Sequence, residues 1–441
     1  AVVTKSDNAV GATAGIAMEE LQESWTGLPV QLTLNENPTD LKDGYEINNT
    51  SAQIIISADK ETGLLYGAYH LLRLQQTGAD LSNLDIREIP FYQHRMLNHW
   101  DNLSGTVERG YAGRSIWKWD DLPDIFSGRY EEYARANASV GINATVLNNV
   151  NSTADILRTD YLNKVKALAD EFRPYGIKVY LSLYFTSPMR LGGLSTADPL
   201  NQNVINWWTS KINEIYALIP DFGGFLVKAN SEGQPGPQDY GRTHADGANM
   251  LAKILKPHNG LVIWRAFVYG NQSAERSAQA YLEFKPLDGQ FDDNVVIQIK
   301  NGPMDFQPHE PFSALFGAME STKLGLEIQI TQEYLGASNH LVYLAPMWKE
   351  VLESDTYQYG EGSTVLKKIA ESSVIAGVAN IGEDTNWCGH EFAQANWYAF
   401  GRLAWNPYLS SETIAKEWIG QTFNTDPTFV STVSNLMLDS W

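Results

Sequence analysis

"FLVKANSEGQPGPQDYG" (Phe225 to Gly241) begins on an apolar run and ends on turn residues. Phe225 to Val227 shows no polar alternation, which is the pattern of a strand covered on both faces. Lys228, Asn230 and Glu232 follow at once, in a segment whose glycines and prolines cannot continue as helix or sheet. A buried strand that ends abruptly on charge is the unit from which the rest of the chain can be read.

The unit recurs. From Arg95 onward, apolar runs of strand length occur at Met96–Trp100, Ile142–Leu147, Lys178–Phe185, Phe225–Lys228, Leu261–Phe267, Val295–Lys300, Leu326–Thr331 and Gly377–Ile381. Amphipathic stretches such as Tyr161 to Phe172 and Asn203 to Leu218 separate them. Eight β-then-α units with continuously apolar strands predict an α/β fold of the (β/α)8 TIM-barrel type over residues 89–441. Residues 1–88 predict a small α/β N-terminal domain. Val30 to Leu34 and Ile54 to Ile56 are its strands, and Leu64, Leu65, Ala68, Leu71 and Leu72 follow helical spacing up to Gly78. Arg87-Glu88-Ile89-Pro90 is predicted as the link, since a proline ends any continuing helix.

Composition narrows the partners. Among 441 residues, 52 acidic side chains face 32 basic ones, and the net charge of −20 repels nucleic acid and anionic membranes. No apolar stretch is long enough to cross a membrane. A single cysteine, Cys388, excludes an internal disulfide. Aromatic residues reach 11%, with 13 Trp, and flat aromatic faces suit the C–H-rich sides of sugar rings. The compartment is not fixed by the sequence: the Asn143 glycosylation sequon falls inside a predicted barrel strand.

In a (β/α)8 barrel the chemistry sits at the C-terminal ends of the strands. Strand one runs into a long Trp- and Gly-rich loop, Asn98 to Pro123, which reads as a wall of a binding cleft. Strands four to seven end on Lys228, Arg265, Lys300 and the Thr331-Gln332-Glu333 segment, with Glu232 and Asp305 just beyond. Three cations and three carboxylates thus converge on one rim. A structural ion-pair network is one reading. The other is acid–base work by the carboxylates, with the cations holding an anionic substrate, and an acidic protein that gathers Lys and Arg in its mouth favours it. Metal-ligand spacing is absent, with His309-Glu310 and His390-Glu391 as isolated pairs. No nucleophile elbow or phosphate-binding loop follows a strand. Cys388, near His390, reads as a packing residue rather than a nucleophile.

The segments "MLNHWDNLSGTVERGYAGRSIWKWDDLP", "VKANSEGQPGP", "IWRAFVY", "IQIKNGPMDFQPHEP", "QITQEYLG" and "DTNWCGHEFAQANWYAFGRLAWN" together resemble the α-glucuronidases of glycoside hydrolase family 67. The likeness runs from about Leu64 to the end. It implies removal of α-1,2-linked glucuronic acid, or its 4-O-methyl form, from glucuronoxylan-derived oligosaccharides (aldouronic acids), with inversion and without a cofactor. By the same resemblance Glu232 is the general acid, and Asp305 and Glu333 activate the attacking water. Lys228, Arg265, Lys300 and Trp100 match residues that bind the uronic acid. Members of the family continue beyond the barrel into a helical C-terminal domain that serves the aglycone side and dimerisation. This chain stops at "NLMLDSW" (Asn435 to Trp441), so that domain is expected to be absent, and a homodimer is expected only if it exists.

Inverting hydrolysis needs a protonated carboxylic acid and an ionised carboxylate on opposite faces of the sugar. Asp305 and Glu333 are expected to raise one another's proton affinity as a coupled pair. Two rivals remain: a retaining β-glycosidase with its acid after strand four and its nucleophile after strand seven, and a catalytically dead uronic-acid-binding protein. The presence of all three carboxylates weighs against the second.

Overall fold

The computed structural model describes residues 2–270 and 275–441. Five strands form the first sheet: β1 (Val3–Lys5), β2 (Val30–Leu34), β3 (Tyr45–Asn49), β4 (Ile54–Ala58) and β5 (Asp85–Glu88), in the order β1-β2-β4-β3-β5. The first three neighbours in that order are parallel, whereas β3 runs antiparallel to both β4 and β5. The helices Ala12–Ser24 and Glu61–Gln76 accompany this sheet. Glu61–Gln76 stops because Gly78, at φ 70°, supplies the left-handed residue that closes a helix C-terminus. Arg87 and Glu88, expected in the link, instead pair with Glu46 and Tyr45 as an edge strand. Pro90 lies just past that ladder, where its missing N–H leaves no bond unmade.

Eight further strands close into a parallel barrel: β6 (His94–His99), β7 (Ala144–Val146), β8 (Lys178–Ser182), β9 (Gly224–Val227), β10 (Leu261–Arg265), β11 (Val295–Lys300), β12 (Leu324–Gln329) and β13 (Val374–Ala379). Closure is made by parallel pairing of β13 with β6. Each of the eight runs read from the sequence corresponds to one of these strands. The last two lie two or three residues earlier than expected, because Thr331, Asn380 and Ile381 stay buried past the final ladder bond and prolong the apolar pattern. Thr159–Phe172 and Gln202–Leu218 are the expected amphipathic helices, the second started by the Asn201 side chain, which accepts from the amides of Asn203 and Val204.

Strand alternation sorts the barrel into two cores. Met96, Ala144, Tyr180, Leu226, Ile263, Val296 and Ala376 pack together in the interior, while Leu97, Phe225, Val262, Ile297 and Leu326 join the larger core under the helices. Continuing along the inward face brings Lys228 after Leu226, Arg265 after Ile263, and Gln298 and Lys300 after Val296. On β12 the inward positions are Gly325, Glu327 and Gln329, since Leu324, Leu326 and Ile328 face outward. The interior is therefore apolar at its base and charged at its C-terminal mouth.

One ion pair ties that charged layer together. Arg265 donates from Nε to Glu327 Oε2 at 2.8 Å and from Nη2 to Oε1 at 2.5 Å, and Gln298 Nε2 donates to Oε2 at 2.5 Å. Both partners are almost fully buried, at 2% and 1% side-chain exposure. Burial pushes the Glu327 carboxyl up, but the Arg265 guanidinium outweighs it and holds the group below its ordinary value of 4.5.

Beyond β13 the chain is helical: Glu391–Trp405, Ser411–Thr422 and Pro427–Leu438. The first packs on the barrel, where Trp405 lies against Tyr45 and Tyr66 of the N-terminal unit. The end of the chain returns to the barrel: Ser440 Oγ accepts from Tyr343 N at 2.8 Å, and the Trp441 ring is 5.5 Å from that of His309. A chain without any helical C-terminal unit, as expected from its stop at "NLMLDSW", is not what is seen. The apolar pattern of Glu391–Trp405 serves equally as the barrel's last helix and as the first of a following helical unit, so periodicity alone could not separate them.

Removing one partner of the buried pair strands the other. Glu327→Ala is expected to lower the unfolding free energy by about 3–5 kcal/mol, measured by urea or thermal melts, and Arg265→Met/Glu327→Leu should recover most of it. A single variant as stable as the parent would show that the pair carries no structural weight. The folded Glu327 binds its proton less readily than the unfolded one. Its contribution is therefore present above the ordinary carboxylate range and lost as pH falls through the folded value. Glu327→Gln should flatten that acid limb.

Candidate active site

The loop after β9 presents Glu232 in a conformation few residues accept. Asn230, Glu232 and Gly233 have φ of 52°, 48° and 81°. Left-handed backbone at two non-glycine positions costs energy and is kept where it aims a side chain. Two bonds to the next strand's loop hold it: Glu232 N donates to Tyr269 O at 3.0 Å, and Tyr269 N donates to Ser231 Oγ at 2.9 Å. The Glu232 carboxylate is 44% exposed at the rim and bonds Lys228 Nζ through Oε2. Lys228 also donates to Asn151 Oδ1 at 2.8 Å. Asn151 and Asn149 in turn donate to Glu108 Oε2, at 3.0 Å and 2.6 Å.

The loop after β11 carries Asp305. It is closed by Glu310, whose carboxylate accepts from the amides of Met304 (3.1 Å) and Asp305 (3.0 Å). Glycine suits position 302, since a Cβ there would stand 2.7 Å from the Glu310 Cβ. The sequence offered His309-Glu310 only as an isolated pair; Glu310 is a brace for this loop. Lys300 Nζ donates to Asp305 Oδ1 at 2.5 Å, and the Tyr334 hydroxyl donates to Oδ2. Burial pushes Asp305 up, yet Lys300 and Tyr334 outweigh it and the carboxyl is held below its ordinary range. The mutual raising expected of Asp305 and Glu333 therefore does not govern Asp305. Glu333 accepts from Gln329 Nε2 at 2.8 Å and pairs with Arg109 Nε at 3.2 Å.

The three cations meet around one ring. Lys300 Nζ lies 3.6 Å, Arg265 Cζ 5.0 Å and Lys228 Nζ 5.3 Å from the Phe267 centroid. An aromatic face stabilises cations that burial has stripped of water. Burial and the neighbouring Arg265 charge both lower the proton affinity of Lys228 and of Lys300. Trp100 completes this wall, its ring 6.0 Å from Arg265 Cζ and 6.3 Å from the Phe306 ring. Arg265 spends Nε and Nη2 on Glu327, so its bonds to that partner do not use Nη1.

All seven residues singled out in the sequence, Trp100, Lys228, Glu232, Arg265, Lys300, Asp305 and Glu333, thus stand at one end of the barrel. Several that join them were missed: Phe267, Glu327, Tyr334, Arg109 and the Asn151–Glu108 relay. Alternation in "LGLEIQI" (Leu324 to Ile330) carried the signal for Glu327, a lone acid on the inward face. Nothing local marks Glu108 or Arg109, which reach the site through tertiary folding of the long loop after β6. Cys388 is buried, and burial pushes its thiol up. His390 Nδ1 accepts from Ala393 N at 3.2 Å as a helix cap, so neither shows an activated thiol. Among the described residues no group of three or more His, Cys, Asp or Glu side chains is arranged to hold a metal ion.

Comparison with known proteins agrees with this architecture. The chain is 45% identical over 423 residues to Alpha-glucuronidase A of Emericella nidulans, covering 92% of this chain and 50% of that protein. It is 45% identical over 418 residues to Alpha-glucuronidase of Hypocrea jecorina, covering 91% and 49%. The chain therefore spans about half the length of the curated relatives it matches. Among solved structures, a GH138 enzyme targeting pectin rhamnogalacturonan II superposes with a TM-score of 0.63 at 14% identity, over 100% of this chain and 54% of that one. CpGH84B superposes with a TM-score of 0.55 at 11% identity, over 95% and 70%. At such identities these two speak to the fold alone. The model of the glycosyl hydrolase family 67 C-terminus matches residues 388–441, which overturns the expectation that this chain lacks the family's C-terminal domain. The helix Glu391–Trp405 belongs to that match as well as lying on the barrel wall. Because the family 67 middle-domain model covers residues 74–387 and the C-terminal model takes up the rest, the chain belongs to glycosyl hydrolase family 67.

Proposed function

We propose that the chain is the catalytic part of an inverting α-glucuronidase that releases α-1,2-linked glucuronic acid, or its 4-O-methyl form, from xylooligosaccharides. The observation that carries the reading is the triad of buried cations around Phe267, two of which contact carboxylates suited to acid–base work. Lys228, Arg265 and Lys300 bind the uronate carboxylate, and Trp100 packs against the sugar. A charged ligand entering a site of low dielectric gains orientation that a neutral sugar would not. The names of the two relatives support the same activity.

Glu232 acts as the general acid. It stands apart from the other two carboxylates, on the loop after β9 and exposed at the rim, where a leaving xylose meets solvent. Asp305 and Glu333 activate the water. Lys300 and Tyr334 favour the ionised Asp305 at neutral pH, the form a base requires. Arg109 and Gln329 orient Glu333. Water delivered on the face opposite the leaving group converts the α-linkage to a β-configured sugar in one step.

Leaving-group dependence separates the acid from the base. Glu232→Ala should slow hydrolysis of aldouronic acids by about 10²–10⁴-fold, the usual contribution of a general acid, while much activity persists on 4-nitrophenyl α-glucuronide, whose leaving group needs little protonation. Asp305→Ala and Glu333→Ala should fail on both substrates. Equal losses for Glu232→Ala on the two would remove it from the acid role. Proton NMR in the first minutes of hydrolysis should show β-glucuronic acid before mutarotation mixes the anomers. Initial release of the α-anomer would exclude the inverting route and favour a nucleophilic Glu333.

A further inference from the structure

A general acid must carry a proton when substrate binds, and Glu232 is in direct contact with the ammonium group of Lys228. The two partners are not equally fixed. Lys228 has a side-chain exposure of 2%, against 44% for Glu232. It is held from beneath by Asn151, itself anchored to Glu108, and lies 5.3 Å from the centre of the Phe267 ring. The lysine is thus a set point, and its open side is occupied by a rim carboxylate. An anion arriving from solvent competes for the position that Glu232 holds.

We propose that the substrate's own carboxylate displaces Glu232 from Lys228 and that the displaced carboxylate then takes up a proton from solvent. This rests on the α-glucuronidase reading and deepens it: the uronate is a trigger as well as a handle. Lys228 keeps its charge and exchanges one carboxylate for another. Glu232, no longer beside an ammonium and facing a newly bound anion, gains the proton it passes to the leaving xylose oxygen. The charged groups around the pair act in the same direction in both states. Glu108 stays bonded to Asn151, and Arg265 stays paired to Glu327. Tyr269 contributes a backbone carbonyl to Glu232 N, and its ring lies 4.0 Å from Arg276 Cζ. Asp305 remains on Lys300. Specificity for a uronic acid over the corresponding neutral sugar then appears in the chemical step, because a neutral sugar leaves Glu232 paired with Lys228.

Isothermal titration of glucuronate into the protein, in two buffers of different ionisation enthalpy, reads the exchange directly. Binding near neutral pH should take up about one proton per site, and none in Glu232→Gln or when glucuronic acid methyl ester replaces the free acid. Binding of glucuronate without proton uptake, or equal uptake by Glu232→Gln, overturns the proposal. Turnover supplies an independent arm. On the methyl ester of an aldobiouronic acid, Lys228→Met should surpass the parent by at least ~10-fold in kcat, since Glu232 is then free to be protonated, while losing at least ~100-fold on the acid itself. A Lys228→Met protein no faster than the parent on the ester overturns the proposal. Failure of the underlying reading shows differently, as a parent protein that releases no uronic acid from aldobiouronic acid at all.

Discussion

The arrangement of the mouth depends on keeping three cations close together out of water. Two unit charges a few ångströms apart repel strongly when the dielectric is low, and burial adds a desolvation penalty to each. Arg265 is the one of the three given a dedicated, almost fully buried counter-ion, Glu327. Lys228 and Lys300 are instead paired with carboxylates nearer the rim, Glu232 at 44% side-chain exposure and Asp305 at 20%. The buried pair makes the interior tolerable, and the two rim pairs place charge at the mouth, where a ligand enters.

Phe267 does for the cations what Glu327 cannot. A carboxylate cancels the charge of the cation it pairs with, as Glu327 does for Arg265. An aromatic face lowers the energy of buried cations without cancelling their charge. Its position just past β10, with Lys228 and Lys300 arriving from the strands on either side, follows from the parallel register of β9, β10 and β11.

Precision at the carboxylates comes from loops braced against one another. The loop after β9 is bound to the one after β10, the loop after β11 is closed by Glu310, and the long loop after β6 reaches both sides of the mouth. Through Glu108 that loop supports Lys228, and through Arg109 it orients Glu333. Backbone held at positive φ around Glu232 is stable only because such contacts surround it.

Much of this was legible in the linear sequence. Continuous apolar runs such as "VVIQIK" (Val295 to Lys300) determine strands covered on both faces, and their regular alternation with amphipathic helices determines a closed parallel barrel. Charge at the strand ends determines which end is chemical. The C-terminal boundary was not legible, because one helix serves both the barrel and the region that follows. Nor did the sequence determine partnership among the charges. Lys228 lies four residues before Glu232 and Lys300 five before Asp305, so those contacts are local and foreshadowed by spacing. Arg265 and Glu327 are 62 residues apart, and Lys228 and Asn151 are 77 apart. Such pairs come together only when the barrel closes and sets the register of strands that are not consecutive, and neither residue type nor local periodicity encodes that register.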